Sequence, residues 1–293
     1  MRSDSGRALR PGIRVVLRLL LFTAIWLAIA VPAAVLTPPV LPWLALPGLA
    51  GGLIAGSLLL GLEGRPLSTL GFGLSPKSGS GVALGLALGA AVALLTVGLI
   101  VALGGLRWTA DAGGWGEWLA AGLGSLWLLA IPAAAEEAML RGYPLLALSE
   151  VWGSKWAIGL TSVAFALLHT GNPEIGWIGF ANIVAAGLFL GALRLRTGSL
   201  WWPTGAHLGW NWAHAFLADL PLSGLELVDA PLIESCAGGP AWLSGGAFGP
   251  EGSVLATGAV VAAAAWTWCT SRLGGRPRSS PGNTRAGSTR EGT

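Results

Sequence analysis

The sequence predicts an all-helical, polytopic membrane bundle of about eight transmembrane helices, since a bilayer span needs about 20 mainly apolar residues and such runs recur along the chain. Two further observations agree. Only 11% of the 293 residues are charged, and 53% are hydrophobic, against about 25% charged in a soluble domain. The 16 tryptophans fit the enrichment of Trp at both membrane interfaces. This composition excludes a soluble globular domain. The mild positive balance sits in the ends and short loops, which points to membrane orientation rather than nucleic acid.

The apolar runs place spans at 13–36, 40–62, 81–106, 118–148, 155–169, 176–195, 200–217 and 254–273. The first follows an Arg-rich start and contains "AVPAA", which looks like a cleavage site, but its apolar run is long for a signal peptide and it is read as an uncleaved span. Lys and Arg fall in alternate connections: Arg2, Arg7, Arg10 and Arg14 at the start, Arg65 and Lys77 after span two, Lys155 after span four, Arg194 and Arg196 after span six, and Arg272, Arg276, Arg278, Arg285 and Arg290 at the end. The connection 218–253 instead holds Asp219, Glu226, Asp229, Glu234 and Glu251 with no Lys or Arg. An even number of spans with both termini cytoplasmic satisfies the positive-inside rule. Residues 1–273 are expected to form one integral membrane domain, and the Gly/Ser/Arg/Pro-rich 274–293 a disordered cytoplasmic tail. Cys236 lies in a polar loop and Cys269 near the end of an apolar run, so no disulfide is expected.

Ionisable groups inside apolar spans cost on the order of 3 kcal/mol each on insertion scales, which makes them informative. The fourth span reads "IPAAAEEAMLRGYPLLAL" over 131–148. Glu137 and Arg141 are at i and i+4 and share a helix face, so they can pair. Glu136, rotated about 100° from Glu137, has no cation on its own helix, and an unpaired carboxylate in a low-dielectric site suits general acid–base work. The competing reading makes both glutamates a solvated span end; the apolar "YPLLAL" after Arg141 counts against it. Pro144 should kink the helix or end it shortly afterwards.

The fifth span ends in "FALLH", with Phe165 four residues before His169; alone, such a histidine reads as an interfacial residue. The seventh carries His207 and Asn211 at i and i+4, both well inside the span. His214 could support the site from behind or be an outer-interface residue beside Trp212, the second reading being favoured, and Asn182 is read as helix–helix glue. At 1.5 Å per residue from the cytoplasmic ends, Glu136 and His169 lie roughly 20 Å deep and His207 roughly 15 Å. Matching depths favour one site inside the bundle.

"EEAMLRG", "FALLH" and "HLGWN" resemble, in order and on three separate spans, the EExxxR, FxxxH and HxxxN motifs of the CPBP family, which groups type II CAAX prenyl proteases with bacteriocin-processing (Abi-like) membrane enzymes. "RTGSLWWPTGAH" is similar to the stretch leading into the last motif. The resemblance covers roughly 118–217, the expected peptidase core. It implies an intramembrane endopeptidase in which Glu136 activates water, Glu137 is the structural partner of Arg141, and His169, His207 and Asn211 complete the catalytic site. Two versions of the chemistry stay open. In one, Glu136 takes the water's proton, His169 orients that water, and His207 with Asn211 stabilises the oxyanion. In the other, Glu136, His169 and His207 hold Zn²⁺. The rival from another class is a non-catalytic membrane protein: a bacteriocin immunity protein, a scaffold or a transporter. The Gly/Ala/Arg-rich, Lys-poor composition suggests a GC-rich bacterial genome, and with the apolar spans a multi-pass plasma-membrane location; the resemblance implies a membrane-associated protein or peptide as substrate.

Overall fold

The computed structural model describes residues 10–273. The predicted tail 274–293, together with Arg2 and Arg7, lies outside the described residues. The described residues are mainly helical, in the order α1 (Pro11–Val35), α2 (Leu41–Leu62), α3 (Pro76–Ala102), α4 (Trp115–Arg141), α5 (Tyr143–Trp152), α6 (Ser154–Leu168), α7 (Trp177–Thr197), α8 (Trp201–Trp212), the short α9 (Ala241–Ser244) and α10 (Val254–Cys269). Five segments are long and apolar enough to cross a membrane: α1, α2, α3, α4 with α5, and α7; α6 and α10 are shorter apolar helices. All eight predicted spans correspond to helical segments, and this is an all-α membrane protein. Leucines of α1 such as Leu17, Leu20, Leu21 and Leu27 are exposed, as expected of a face that meets lipid. Exposed Trp43, Trp115, Trp152, Trp156 and Trp177 all sit in the first or last turn of a helix, where an aromatic belt belongs.

Three boundaries differ from expectation. The third helix begins at Pro76, five residues before the predicted span. Pro76 has a preset φ at the first helical position, and the Ser78 hydroxyl accepts the Ser75 N–H at 2.9 Å. The fourth span is two helices, and the break falls at Gly142, before Pro144 rather than after it. Pro144 opens α5, because its missing N–H is harmless in a first turn. A Cβ at Gly142 would stand 2.3 Å from the Ala138 carbonyl oxygen, so the break needs glycine. The seventh span is α8 continued by a π-turn over Ala213–Leu217.

Buried Arg194 on α7 finishes this corner. Its Nε donates to the Arg141 carbonyl at 3.2 Å and its Nη2 to those of Thr69 and Leu70 at 2.9 and 3.2 Å. A cation on carbonyls left open by a helix end is favourable. Beside it Arg18, Glu63, Arg65 and Glu150 interlock, and Tyr143 donates its hydroxyl to Glu63, tying α1, α2 and α5 together.

The closest helix packing is α3 on α8. A Cβ at Gly89 would lie 1.9 Å from the Ala206 oxygen, and one at Gly209 would lie 2.1 Å from the Leu86 oxygen. The backbones touch through four-residue glycine spacing, the small-residue packing typical of membranes. Because α8 carries His207, this contact fixes part of the site. Gly89→Val is expected to cost at least about 1–3 kcal/mol, the usual penalty of overpacking, and to lower the melting temperature in detergent. Gly98→Ala on the same helix, where a Cβ meets nothing within 4 Å, is the control and should be neutral or slightly stabilising. Equal melting of the two variants would refute the contact.

The acidic connection 218–253 is built rather than loose. Residues Ile233–Ala237 (β2) pair antiparallel with Leu106–Ala110 (β1), Trp108 facing Ser235, and the Trp108 indole donates to the Ala218 carbonyl at 2.8 Å. This two-stranded ribbon is an addition to the predicted all-helical fold. Cys236 and Cys269 are free thiols.

Candidate active site

Glu137 is fully buried on α4, and its Oε1 serves two partners. Arg141 Nη1 donates to it at 3.0 Å and His207 Nδ1 at 3.1 Å. The i, i+4 pair read from the sequence is therefore present, and the same carboxylate also orients a histidine. A carboxylate accepts only, so His207 must carry its hydrogen on Nδ1 and turn Nε2 outward. Nε2 lies 3.7 Å from Glu136 Oε2. That oxygen is buried and has no hydrogen-bond partner, although the Glu136 side chain as a whole keeps 31% of its surface exposed. Glu136 thus has one atom in the protein and an open side toward the cavity.

His169 ends α6 as its C-cap. Its Nδ1 lies 2.8 Å from the Phe165 carbonyl oxygen, which can only accept. The hydrogen is assigned to Nδ1, and Nε2 keeps its lone pair.

Phe165 is the hub on which the three motifs converge. Its face receives the Arg141 guanidinium at 4.4 Å. The ring meets His169 edge-on at 4.7 Å and His207 edge-on at 5.7 Å between centroids. A phenylalanine four residues before a histidine thus links the ion pair on α4 to imidazoles on two other helices. Packing alone reveals this role.

A cavity of about 370 Å³ opens against these groups, lined by Glu136, His169, His207 and Asn211 together. The acidic connection contributes Leu222, Ser223, Leu225, Leu227 and Glu251 to its lining. The groups expected to meet from three separate spans do share one chamber.

Two polar residues lie elsewhere. His214 is wholly buried, with its ring 4.4 Å from that of Trp210 in an edge contact, so the expected outer-interface position is wrong. The π-turn that follows α8 swings it inward, where the indole covers it. Asn182 does act as glue: it donates to the Glu251 and Ser253 carbonyls, both at 2.8 Å, and accepts from Thr257 at 2.6 Å, clasping α7 to the start of α10. Glu251 does not stand out in the sequence from the other four acids of its loop. Its sole sequence signal is position, just before a span whose N-cap is Ser253.

The donor chemistry of Glu136, His169 and His207 suits zinc, with the far nitrogen of each imidazole already anchored. Their present spacing does not: among the described residues no group of three or more His, Cys, Asp or Glu side chains is gathered where it could hold a metal ion.

Fold and site together define an integral membrane protein with a carboxylate–histidine centre inside its helical bundle. Residues 115–213 match the family described as Rce1-like, type II CAAX prenyl endopeptidase, which supports the CPBP/CAAX protease resemblance carried by the three motifs. The matched stretch runs from the first residue of α4 to the residue after α8 and contains all three motifs. No curated protein and no solved structure matches the chain. The match supports a membrane protease at the level of the family.

Proposed function

We propose that the protein is a glutamate-dependent intramembrane endopeptidase that hydrolyses a peptide bond of a membrane-associated protein or peptide. The observation that carries this reading is the single cavity lined by Glu136, His169, His207 and Asn211. Glu136 takes a proton from a water whose other side is held by the His169 Nε2 lone pair. The hydroxide oxygen attacks the scissile carbonyl carbon. The Asn211 amide donates to the resulting oxyanion. His207 can do so as well when Nε2 carries a hydrogen, the imidazolium then being balanced by Glu137 on Nδ1. As the C–N bond breaks, Glu136 returns its proton to the leaving nitrogen, giving one carboxyl and one amine product. Losing one oxyanion donor typically costs about a hundredfold or more in rate. Ser223, which lines the cavity, gives its hydroxyl to Glu251, and among the described residues no Ser or Cys pairs with His169 or His207, so direct attack by water is favoured over an acyl-enzyme.

The family and the apolar helices support a membrane-associated substrate. The bacterial plasma membrane rests on the Gly/Ala/Arg-rich, Lys-poor composition, and the cytoplasmic placement of both ends on the Lys/Arg distribution. The test compares peptide termini in membranes from cells expressing the wild type or Glu136→Ala. New termini are expected with the wild type alone, and identical sets from the two would refute the reading. Activity so found is expected to survive a zinc chelator. Loss on chelation with recovery on added Zn²⁺ would instead assign water activation to a metal held by Glu136, His169 and His207.

A further inference from the structure

Glu251 occupies a short 3₁₀ turn, Pro250–Gly252, immediately before α10. It is 9% exposed, and the little that is open faces the cavity. Both carboxylate oxygens are held: Oε1 accepts the Trp210 indole N–H at 2.8 Å, and Oε2 accepts the Ser223 hydroxyl at 2.5 Å. The backbone pins the same residue, because Asn182 donates to its carbonyl. Ser223 reaches this carboxylate from a left-handed conformation, φ 50°, which residues other than glycine seldom adopt. The carboxylate is therefore held in a fixed position on the lining of the cavity that also holds Glu136, His169 and His207.

Both donors are neutral. Among the described residues no Lys or Arg pairs with Glu251, and the ionisable group it acts on electrostatically is His214, buried behind Trp210. A glutamine would satisfy the same indole and hydroxyl, so the clasp alone does not explain a charge. A carboxylate has about four acceptor sites, and two are used here. The lining of this cavity is largely apolar, with Leu222, Leu225, Phe189 and Val260 among it, and a charge in such surroundings needs a counter-charge.

We propose that Glu251 is the specificity determinant of this cavity and receives the cationic side chain of a lysine or arginine in an otherwise apolar peptide, close to the bond to be cut. Glu251 keeps two lone pairs for the incoming ammonium or guanidinium, and Trp210 and Ser223 hold it still for that contact. Trp210 is three residues from His207 on α8, so cation recognition and hydrolysis share one helix.

The cleavage half of this inference rests on the peptidase reading above; the recognition half does not. The test therefore has two arms. The probes are a short fluorescent Leu/Ala peptide with one central lysine and its norleucine twin. Binding is measured by anisotropy to the Glu136→Gln protein and to the Glu136→Gln/Glu251→Gln protein, and cleavage is measured with the wild type and Glu251→Gln. A charge-assisted contact of this kind predicts that the lysyl peptide is favoured over its norleucyl twin by roughly tenfold to a hundredfold and that Glu251→Gln removes this preference. Unchanged melting of Glu251→Gln shows that the clasp survives. Lysine-selective binding without cleavage by the wild type sustains the recognition role and sinks the peptidase reading. If Glu251→Gln keeps the wild-type preference, or the wild type shows no preference in either arm, the proposal is overturned.

Discussion

The Glu136→Gln protein is expected to fold, insert and bind substrate, and to cleave at least about a hundredfold more slowly than the wild type, since a positioned general base contributes some 10²–10⁴ in rate. The substitution keeps the size of the side chain and removes its ability to take a proton. Stability should barely change, because the nearest ionic neighbour of Glu136 is His207 at 3.7 Å and one of its oxygens has no partner to lose. The loss should therefore appear in kcat with little change in KM, the signature of an interaction made in the transition state. His169→Ala and His207→Ala are expected to lose cleavage as well. Full activity in Glu136→Gln would remove the water-activating role from this residue.

Glu137→Ala should act on the fold itself. It leaves the Arg141 guanidinium fully buried with no anion, and breaking such a pair from one side typically costs about 3–5 kcal/mol. The Phe165 face offsets some of this as a cation–π partner, but a quadrupole does not replace a charge. The double variant Glu137→Leu/Arg141→Met separates the two duties of the carboxylate. Replacing both ions by apolar groups often restores stability, so melting should recover. Activity should not, because the His207 imidazole has lost the acceptor that orients it. A stable, normally melting Glu137→Ala protein would refute the pair. A fully active double variant would refute the orienting role.

Much of this is legible in the sequence because a bilayer enforces simple rules. Apolar length specifies all eight helical segments, and intramembrane charge is rare enough that Glu136, Glu137 and Arg141 stand out at once. Motif order then predicts that His169, His207 and Asn211 share a chamber with Glu136, although their catalytic roles remain a proposal. What stays hidden depends on contacts between distant parts of the chain. The break at Gly142 combines a local crowding by the Ala138 carbonyl, seen only once the backbone is folded, with the reach of Arg194 from α7, which is not local. The inward turn of His214 comes from a π-turn with no residue signature. The glycines at 85, 89, 205 and 209 are visible in the sequence, yet nothing local says that α3 and α8 are each other's partners. Glu251 is lost among four other acids because only folding sets it apart from Glu226 or Asp229.

The two halves of the cavity come from separate stretches of chain. The carboxylate, the imidazoles and the amide lie within 115–213, whereas Leu222, Ser223, Leu225, Leu227 and Glu251 lie beyond it. An exchange of 218–253 between homologues would reshape the chamber while leaving the hydrolytic machinery untouched. Chemistry and diet can then drift at different rates, and a protease of this design can acquire new prey by rewriting a single connecting segment.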